Sequence, residues 1–311
     1  MTESLTAAAP APAPPAGNAR RKGPSHANSG YLFVLPFLLV FLTMLVLPLA
    51  YAAYLSLFRE QLIGGTVFAG LDNYTRALTD DRLIAGILRV ARFFLIQVPI
   101  MLALSLIAAL AIDSGLLRFA KVFRLGIFVP YAVPAVVAAL MWGYLYGPDF
   151  GPFAQLAKKI GAAAPQFLSE GHMLASIANI VTWEFVGYNM IILYAALRSI
   201  PHDLYEAAAV DGAGAWRIAW SIKIPALRPA LLLCLIFSVI GSFQLFTEPQ
   251  LMQRLAPNVI ESSYTPNLYA YTLAFTGQEV NYAAAVSFLL GLVIVIASYT
   301  VLLATNRRSR A

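Results

Sequence analysis

YLFVLPFLLVFLTMLVLPLAYAAYLSLF, residues 31–58, is a stretch without a single charged side chain. About 20 apolar residues in a helix cross a hydrocarbon core about 30 Å thick, so this stretch is long enough to span a membrane. Backbone groups in lipid must be hydrogen-bonded within the segment, which makes a helix the expected structure. The apolar region of a secretory signal peptide is shorter, at about 7–15 residues, so we predict a first transmembrane helix that is retained.

Similar runs recur along the rest of the chain. Four are free of charge and a fifth is interrupted only by Glu184; in chain order they are residues 93–112, 125–148, 173–197, 229–247 and 280–306. Only 12% of the residues are charged, about half the fraction found in soluble domains. We therefore predict an all-α, polytopic membrane protein with six transmembrane helices. Prolines occur within these runs, at positions 36, 48, 99, 130 and 134, and we interpret them as kinks.

The termini and the basic residues suggest how the chain is organised. Residues 1–28 contain the low-complexity run AAAPAPAPP (7–15) and are predicted to be a disordered cytoplasmic tail, while residues 29–311 form the transmembrane domain. With the N-terminus in the cytoplasm, 13 of the 21 Lys and Arg residues fall on cytoplasmic segments and eight outside. This bias favours both termini inside. The basic residues flank apolar runs, so they do not indicate nucleic-acid binding.

The sequence lacks the motifs of common enzyme classes. It has no Gly-Lys dipeptide and hence no P-loop for nucleotide phosphates, and no G-x-S-x-G nucleophile elbow. The three histidines, His26, His172 and His202, are far apart, and Cys234 is the single cysteine, so neither a metal site nor an internal disulfide is predicted. We expect a protein that is not an enzyme and binds no cofactor.

One polar loop is patterned like folded structure. Residues 198–228 read RSIPHDLYEAAAVDGAGAWRIAWSIKIPALR. Asp203 suits the first turn of a short helix, Gly212 provides a turn that can adopt positive φ, and a second short helix carries Trp216 and ends at Pro225. Helices this short are unstable alone in water. They must dock either on the membrane domain or on a separate cytoplasmic protein.

The same loop resembles the EAA loop of bacterial ABC-importer permeases. Glu206-Ala207-Ala208, three residues, Gly212, nine residues and then Ile222-Lys223-Ile224-Pro225 match the pattern EAA-x3-G-x9-I-x-L-P, with isoleucine in place of leucine. The likeness extends to most of the chain from about residue 31. Further stretches resemble the carbohydrate branch, similar to maltose-transporter permeases: GLDNYTRAL (70–78), RLGIFVPYAVPAVVAALMW (124–142), WEFVGYNMIILYAALRSIP (183–201), GSFQLFTEPQ (241–250) and YAAAVSFLLG (282–291).

This resemblance implies a function and a set of partners. The chain would be the permease subunit of an ATP-driven, binding-protein-dependent importer of a sugar or oligosaccharide, in the bacterial plasma (inner) membrane. Its partners would be a second permease subunit, in a heterodimer, an ATPase subunit pair that uses the ATP, an extracytoplasmic solute-binding protein and the lipid bilayer. The residues that would couple to the ATPase subunit are Leu204, Tyr205, Glu206, Ala207, Ala208, Asp211 and Gly212. The segment MQRLAPNVIESS (252–263) lacks the family's Gly-Gly-Pro, which leaves the contacts with the binding protein open.

Several polar and aromatic residues in the spans are candidates for the substrate pathway: Trp183, Glu184, Tyr188, Asn189, Phe243 and Gln244. A carboxylate facing lipid costs about 2.5–3.5 kcal/mol, so Glu184 should face a cavity or a partner. It could serve packing, or it could accept a hydrogen bond from a sugar hydroxyl. Amides can both donate to and accept from hydroxyls. The alternatives are an ABC importer of another solute and an ion-coupled secondary transporter, for which Glu184 is the one ionisable residue available.

Overall fold

The computed structural model of the protein describes the backbone of residues 27–61 and 63–308 and the side chains of residues 31–61 and 63–304. The predicted disordered tail therefore lies outside the described residues, apart from Ala27 and Asn28, which open the first helix. The chain divides into two units between Tyr51 and Ala52.

The described part of the first unit belongs to one apolar helical segment, whose last residues, from Ala52 on, are part of the second unit. Helix α1 (Ala27–Phe41) passes through a π-helical turn (Leu42–Val46) into α2 (Leu47–Ser56), and the span from Tyr31 to Ser56 is 26 residues long. All side chains from residue 31 to residue 51 are exposed. Such a continuous apolar surface suits a helix that lies in lipid.

The second unit contains the other helices. Those that are long and straight are α4 (Asp81–Asp113), α8 (Glu170–Arg198) and α15 (Val280–Arg308). Two further pairs of helices are also long and apolar enough to cross a membrane when each pair is taken together, but each pair is bent. In the first, α5 (Ala120–Phe128) and a 3-10 turn (Val129–Ala132) meet α6 (Ala135–Leu145) at 98°. In the second, α10 (Ala215–Ile218), a π-helical turn (Ala219–Lys223) and α11 (Ile224–Ala226) meet α12 (Arg228–Phe243) at 60°.

The number of spans follows from these helices. Among the described residues four helices are long and apolar enough to cross a membrane, and there are six spans if each bent pair is one span. The structure is mostly helical and supports the predicted all-α fold with six transmembrane segments. Shorter helices connect the spans: α3 (Asp72–Leu78), α7 (Pro152–Lys159), α9 (Asp203–Val210), α13 (Thr247–Leu255) and α14 (Pro266–Phe275).

A small β-hairpin was not predicted. Strand β1 (Phe58–Gln61) pairs antiparallel with β2 (Gly65–Phe68), so that Phe58 faces Phe68. Gly64 and Gly65 adopt φ values of 109° and 74°, which other residues rarely adopt. The helix that we expected to extend to Phe58 ends at Ser56 because the chain turns into this hairpin.

The interpretation of every proline as a kink is wrong at one place. Pro36 and Pro99 do lie inside continuous helices. At Pro130 and Pro134, by contrast, the chain turns by 98°. Val133 is extended, with ψ of 129°, as expected because a proline disfavours the helical conformation of the residue before it. Two prolines four residues apart therefore break the helix instead of bending it.

Helix α8 packs against α4 along its length and also against the break between α5 and α6. A Cβ added at Gly187 would collide with the backbone carbonyl of Ile127 and lie 2.7 Å from Cα of Phe128. Gly187 thus permits a backbone approach that a larger residue would prevent. Further toward the carboxyl end of α8, Met190 and Leu193 are fully buried in one cluster with the single cysteine, Cys234 of α12.

The end of the bundle where α4 begins is held by a polar network. Asp80 caps α4 by accepting a hydrogen bond from the amide of Arg82, and it also accepts bonds of 2.7 Å from the hydroxyls of Tyr269 and Tyr282. Burial opposes the charged form, but these bonds hold the pKa of Asp80 below its usual value. Asp80 therefore joins the start of α4 to α14 and α15.

Helix α4 begins earlier than the charge-free run suggested. Arg82, Arg89 and Arg92, which precede the charge-free run that begins at residue 93, lie in the first turns of α4. Arg89 donates a hydrogen bond of 2.9 Å to the carbonyl oxygen of Tyr264, and its guanidinium lies 4.4 Å from the centre of that ring. A run defined by the absence of charge leaves out helical turns that carry arginines, even where an arginine such as Arg89 has a partner in the fold.

Candidate functional site

Helix α9 is the short helix predicted in the polar loop. It begins at Asp203 and ends at Val210. Gly212, with φ of 78°, follows it: its amide donates to the carbonyl of Ala209, and the amide of Ala213 donates to that of Ala208. This pair of bonds is the Schellman motif, which ends a helix at a residue in the left-handed conformation. Local sequence alone therefore sets where α9 ends.

The predicted coupling residues are divided between two faces of α9 and its cap. Tyr205 and Ala208 are half-buried against the rest of the unit, one turn apart. The others, Leu204, Glu206, Ala207, Asp211 and Gly212, are exposed. No residue of α9 is fully buried. The helix thus presents an alanine-rich surface with an exposed carboxylate, Glu206, which pairs with His202 at 3.1 Å.

The second helix of the loop is also present, in a less regular form. It runs through α10, the π-helical turn and α11, and ends at Ala226, one residue beyond the predicted Pro225. Trp216 and Trp220 are 76% and 55% exposed. Their rings contact each other edge to face at 5.8 Å. This loop therefore exposes large aromatic surface beside α9.

A second candidate site is a cavity between α4, α8, α12 and α13. Its volume is about 260 Å³. Three of the predicted pathway residues line it: Tyr188, Asn189 and Gln244. Asn189 donates a hydrogen bond of 3.0 Å to the carbonyl of Phe185, which fixes the orientation of its amide. The structure thus brings these three residues together.

The other three predicted pathway residues lie outside the lining. Trp183 packs edge to face on Trp142 at 5.9 Å. Phe243 belongs to a buried cluster with Val90 and Val239. Glu184 is only 4% exposed, and among the described residues its Oε2 has no hydrogen-bond partner. The cavity lies on a neighbouring face of α8, which residue spacing alone did not specify.

Sequence reasoning missed several lining residues. Gln97 of α4 and Glu248 of α13 are both buried and both line the cavity. Gln97 donates a hydrogen bond of 3.1 Å to the hydroxyl of Thr182. It was available as a signal, because it is the one amide in the charge-free run 93–112. Glu248 follows the predicted fifth span directly, and nothing in its spacing shows that α13 folds back against α8.

The lining suits a neutral, hydroxyl-rich molecule. Its polar groups are amides, hydroxyls and a single carboxylate, Glu248, and its aromatic groups are Phe185, Tyr188, Phe237 and Phe246. No lysine, arginine or histidine is among the lining residues. Within the part of the chain that the structure describes, no group of three or more His, Cys, Asp or Glu side chains could hold a metal ion.

The chain resembles characterised transport proteins over most of its length. It is 30% identical over 289 residues to the lactose transport system permease protein of Rhizobium radiobacter, covering 90% of this chain and 95% of that one. It is 28% identical over 271 residues to the arabinooligosaccharides transport system permease protein of Bacillus subtilis, covering 86% and 85%. A relative from Yersinia pseudotuberculosis, 27% identical over 266 residues, is an sn-glycerol-3-phosphate transport system permease protein, with coverage of 85% and 90%.

A solved structure shares the fold. A bacterial ABC transporter involved in import of the acidic polysaccharide alginate has a chain that matches with a TM-score of 0.79 and 20% identity, covering 90% of this chain and 95% of that one. The family model described as binding-protein-dependent transport system inner membrane component matches residues 101–308. This match includes the bent pairs, the cavity-lining helices α8 and α12, and α9 with its cap. The chain is therefore a member of that family, a multi-pass membrane component of a binding-protein-dependent transport system.

Proposed function

We propose that this chain is the permease subunit of an ATP-driven importer and that its cargo is a neutral sugar or oligosaccharide. The observation that carries the proposal is α9, a short capped helix whose alanine-rich face is exposed and whose sequence has the EAA spacing. A helix of eight residues is unstable alone in water. An exposed helix of this length is therefore expected to dock into a cleft on a partner. Glu206 is available there for a charge-assisted hydrogen bond to a partner arginine.

The partner at α9 is an ATPase subunit pair, which supplies the ATP hydrolysis. This chain binds no cofactor of its own, and a second permease subunit forms a heterodimer with it. The cavity volume supports the second subunit, since about 260 Å³ is below the range of about 300–1,000 Å³ usual for ligand sites. A facing subunit would complete the wall. An extracytoplasmic binding protein would deliver the cargo.

The choice of cargo rests on the chemistry of the cavity. Anionic cargo, such as a sugar phosphate or an acidic polysaccharide, needs cationic partners, and the lining has none. Amides at Gln97, Asn189 and Gln244 pair with sugar hydroxyls in either direction. The aromatic rings supply flat apolar surface for the faces of a sugar ring. Relatives named for lactose and arabinooligosaccharides favour the same chemical class.

The orientation proposed is that both termini and α9 lie in the cytoplasm of a bacterial cell. Arginines at the opposite end of the bundle have partners in the fold. Arg76 pairs with Glu279 at 2.7 Å, and Arg89 binds Tyr264. The support for this orientation remains the excess of Lys and Arg on the segments that share a side with α9, 13 of 21.

The test is reconstitution of the complex. The tagged chain is purified in mild detergent with its co-purifying chains, placed in proteoliposomes with its binding protein, and supplied with ATP. Uptake of labelled lactose, maltose and sn-glycerol 3-phosphate is compared. We expect ATP-dependent uptake of a neutral sugar, and Glu206→Lys should abolish uptake while leaving insertion in the membrane intact.

The matched control is Lys121→Glu, an exposed charge reversal in α5, which we expect to leave uptake unchanged. Uptake of glycerol phosphate alone would overturn the cargo assignment. Uptake driven by an ion gradient without ATP would overturn the importer class and turn attention to Glu184. Equal uptake by Glu206→Lys and Lys121→Glu would remove α9 from the coupling mechanism.

A further inference from the structure

An ion pair connects the loop that holds α9 to the end of α4. Nζ of Lys223 lies 2.5 Å from Oδ2 of Asp113, and the two side chains are 15% and 8% exposed. Asp113 is the last residue of α4, and Lys223 is the last residue of the π-helical turn between α10 and α11. In the described part of the chain, the two other ion pairs are largely exposed, with side chains at least 44% accessible. The Asp113–Lys223 pair is therefore of a different kind.

The position of Asp113 is unfavourable without its partner. The carboxyl end of a helix carries partial negative charge from its free carbonyl groups, which repels a carboxylate. A buried charge also loses its hydration. Lys223 compensates both effects, because its ammonium group lies at hydrogen-bond distance. Asp113 and Lys223 should therefore move as a unit as long as the pair stays buried.

The π-helical turn is the second independent feature. It covers Ala219–Lys223, and π-helical turns are rare insertions that are frequent at functional sites. The turn adds one residue to the helical repeat and so changes the direction of the side chains that follow it. Lys223, at its end, is half-buried, while Trp220 and Ser221 within the turn are exposed.

Tyr205 extends this contact to α9. The Lys223 ammonium lies 5.0 Å from the centre of the Tyr205 ring, a distance within the range of cation–π attraction. Burial and the nearby Asp113 carboxylate raise the pKa of Tyr205, so the phenol stays neutral. Its hydroxyl is buried and has no hydrogen-bond partner among the described residues. Thus the ring, and not the hydroxyl, provides the contact.

Helix α4 leads from this contact to the cavity. Twelve residues separate Asp113 from Met101, which lines the cavity, and at 1.5 Å per residue that is about 18 Å of continuous helix. Gln97, one turn further, lines it as well. A displacement of the carboxyl end of α4 would therefore reach the cavity wall through one rigid element.

We propose that Tyr205, Lys223 and Asp113 form a latch that transmits movement of α9 to α4 and so to the cavity. The proposal rests on the proposed function, because it requires that α9 be moved by an ATPase. The three residues are positioning residues: they contact neither ATP nor cargo. Without the latch the ATPase pair can still close on α9, but α4 does not follow.

The experiment measures uptake per ATP hydrolysed in proteoliposomes of the whole complex. Asp113→Asn and Lys223→Met should each lower this ratio by about tenfold, a change within the usual range of coupling between sites. The exchanged pair Asp113→Lys with Lys223→Asp should restore most of it. The matched control is Glu279→Gln, which removes the exposed Arg76–Glu279 pair at the other end of the bundle and should not change the ratio.

Tyr205→Ala keeps the inference testable if the charge variants fail to assemble. Its side chain is half-buried, so the complex should form and the ratio should still fall. An unchanged ratio in assembled Tyr205→Ala or Lys223→Met complexes would overturn the latch, and so would a loss that the exchanged pair does not recover. The proposed function stands apart from these outcomes: wild-type uptake with a defect in Glu206→Lys upholds it even where the latch fails.

Discussion

Replacing Gly212 tests the cap of α9 with little interference from packing. A Cβ added at Gly212 has no heavy atom within 4 Å, and the same holds for Gly214. The two positions differ in backbone conformation: φ is 78° at Gly212 and −69° at Gly214. Gly212→Ala and Gly214→Ala therefore make the same chemical change, and only the first forces a side chain into the left-handed region.

The structure gives the size of the effect. A side chain in the left-handed conformation costs about 1–2 kcal/mol, which shifts the balance between the capped and uncapped ends of α9 by about 5- to 30-fold. Asparagine tolerates this conformation better than alanine, and valine tolerates it least. The expected order of coupling is therefore glycine, asparagine, alanine and valine at position 212, with Gly214→Ala equal to wild type.

The assay is uptake per ATP hydrolysed in proteoliposomes, with the amount of assembled complex measured in parallel. We expect Gly212→Val to uncouple transport while the protein still inserts in the membrane. If Gly212→Ala and Gly214→Ala give the same ratio, the conformation of the cap does not matter for coupling and the reasoning is refuted.

Three further predictions concern the rest of the fold. Gly187→Ala should destabilise the protein by about 1–3 kcal/mol, because the new methyl group meets the backbone of Ile127; a lower unfolding temperature in detergent checks this, and an unchanged one would contradict the close approach. Asp80→Asn should lower the unfolding temperature at pH 7. Because the pKa of Asp80 is depressed in the folded protein, the difference in unfolding temperature from wild type should persist above about pH 3.9. It should disappear as the pH falls through the pKa of Asp80 in the folded protein. Gln244→Leu should weaken sugar uptake through a higher KM with unchanged ATP-dependent coupling, measured by initial rates of labelled sugar uptake; equal KM values would remove Gln244 from the cargo site.

Features set by nearby residues could be predicted from the sequence. The helix α9 and its end at Gly212 depend on a few adjacent residues, and the structure places both as expected. The spans followed from runs without charge, because hydrophobic length is a local property. The carboxylate Glu184, which we expected to face a cavity or a partner, is buried but lies outside the cavity lining.

Features set by distant contacts could not be predicted in this way. Which face of α8 lines the cavity depends on how α13 folds back, so Trp183 and Glu184 could not be told apart from Tyr188 and Asn189. The Asp80 cap marks the start of α4 locally, but the distant partner of Arg89, the carbonyl of Tyr264, could not be read from the sequence around α4. The break at Pro134 could not be distinguished from a kink, because a proline permits either: Pro99 lies inside a continuous helix, whereas Val133 before Pro134 is extended.

The network around Asp80 has a consequence for biogenesis. Its partners Tyr269 and Tyr282 lie 189 and 202 residues further along the chain, and Arg76 meets Glu279 at a separation of 203. Ribosomes deliver these segments to the membrane one after another, so Asp80 and Arg76 meet these partners only after the chain has been synthesised through residue 282. A chain truncated before residue 269 would keep five apolar segments and leave Asp80 without either tyrosine. The network is therefore complete only once synthesis has reached α15.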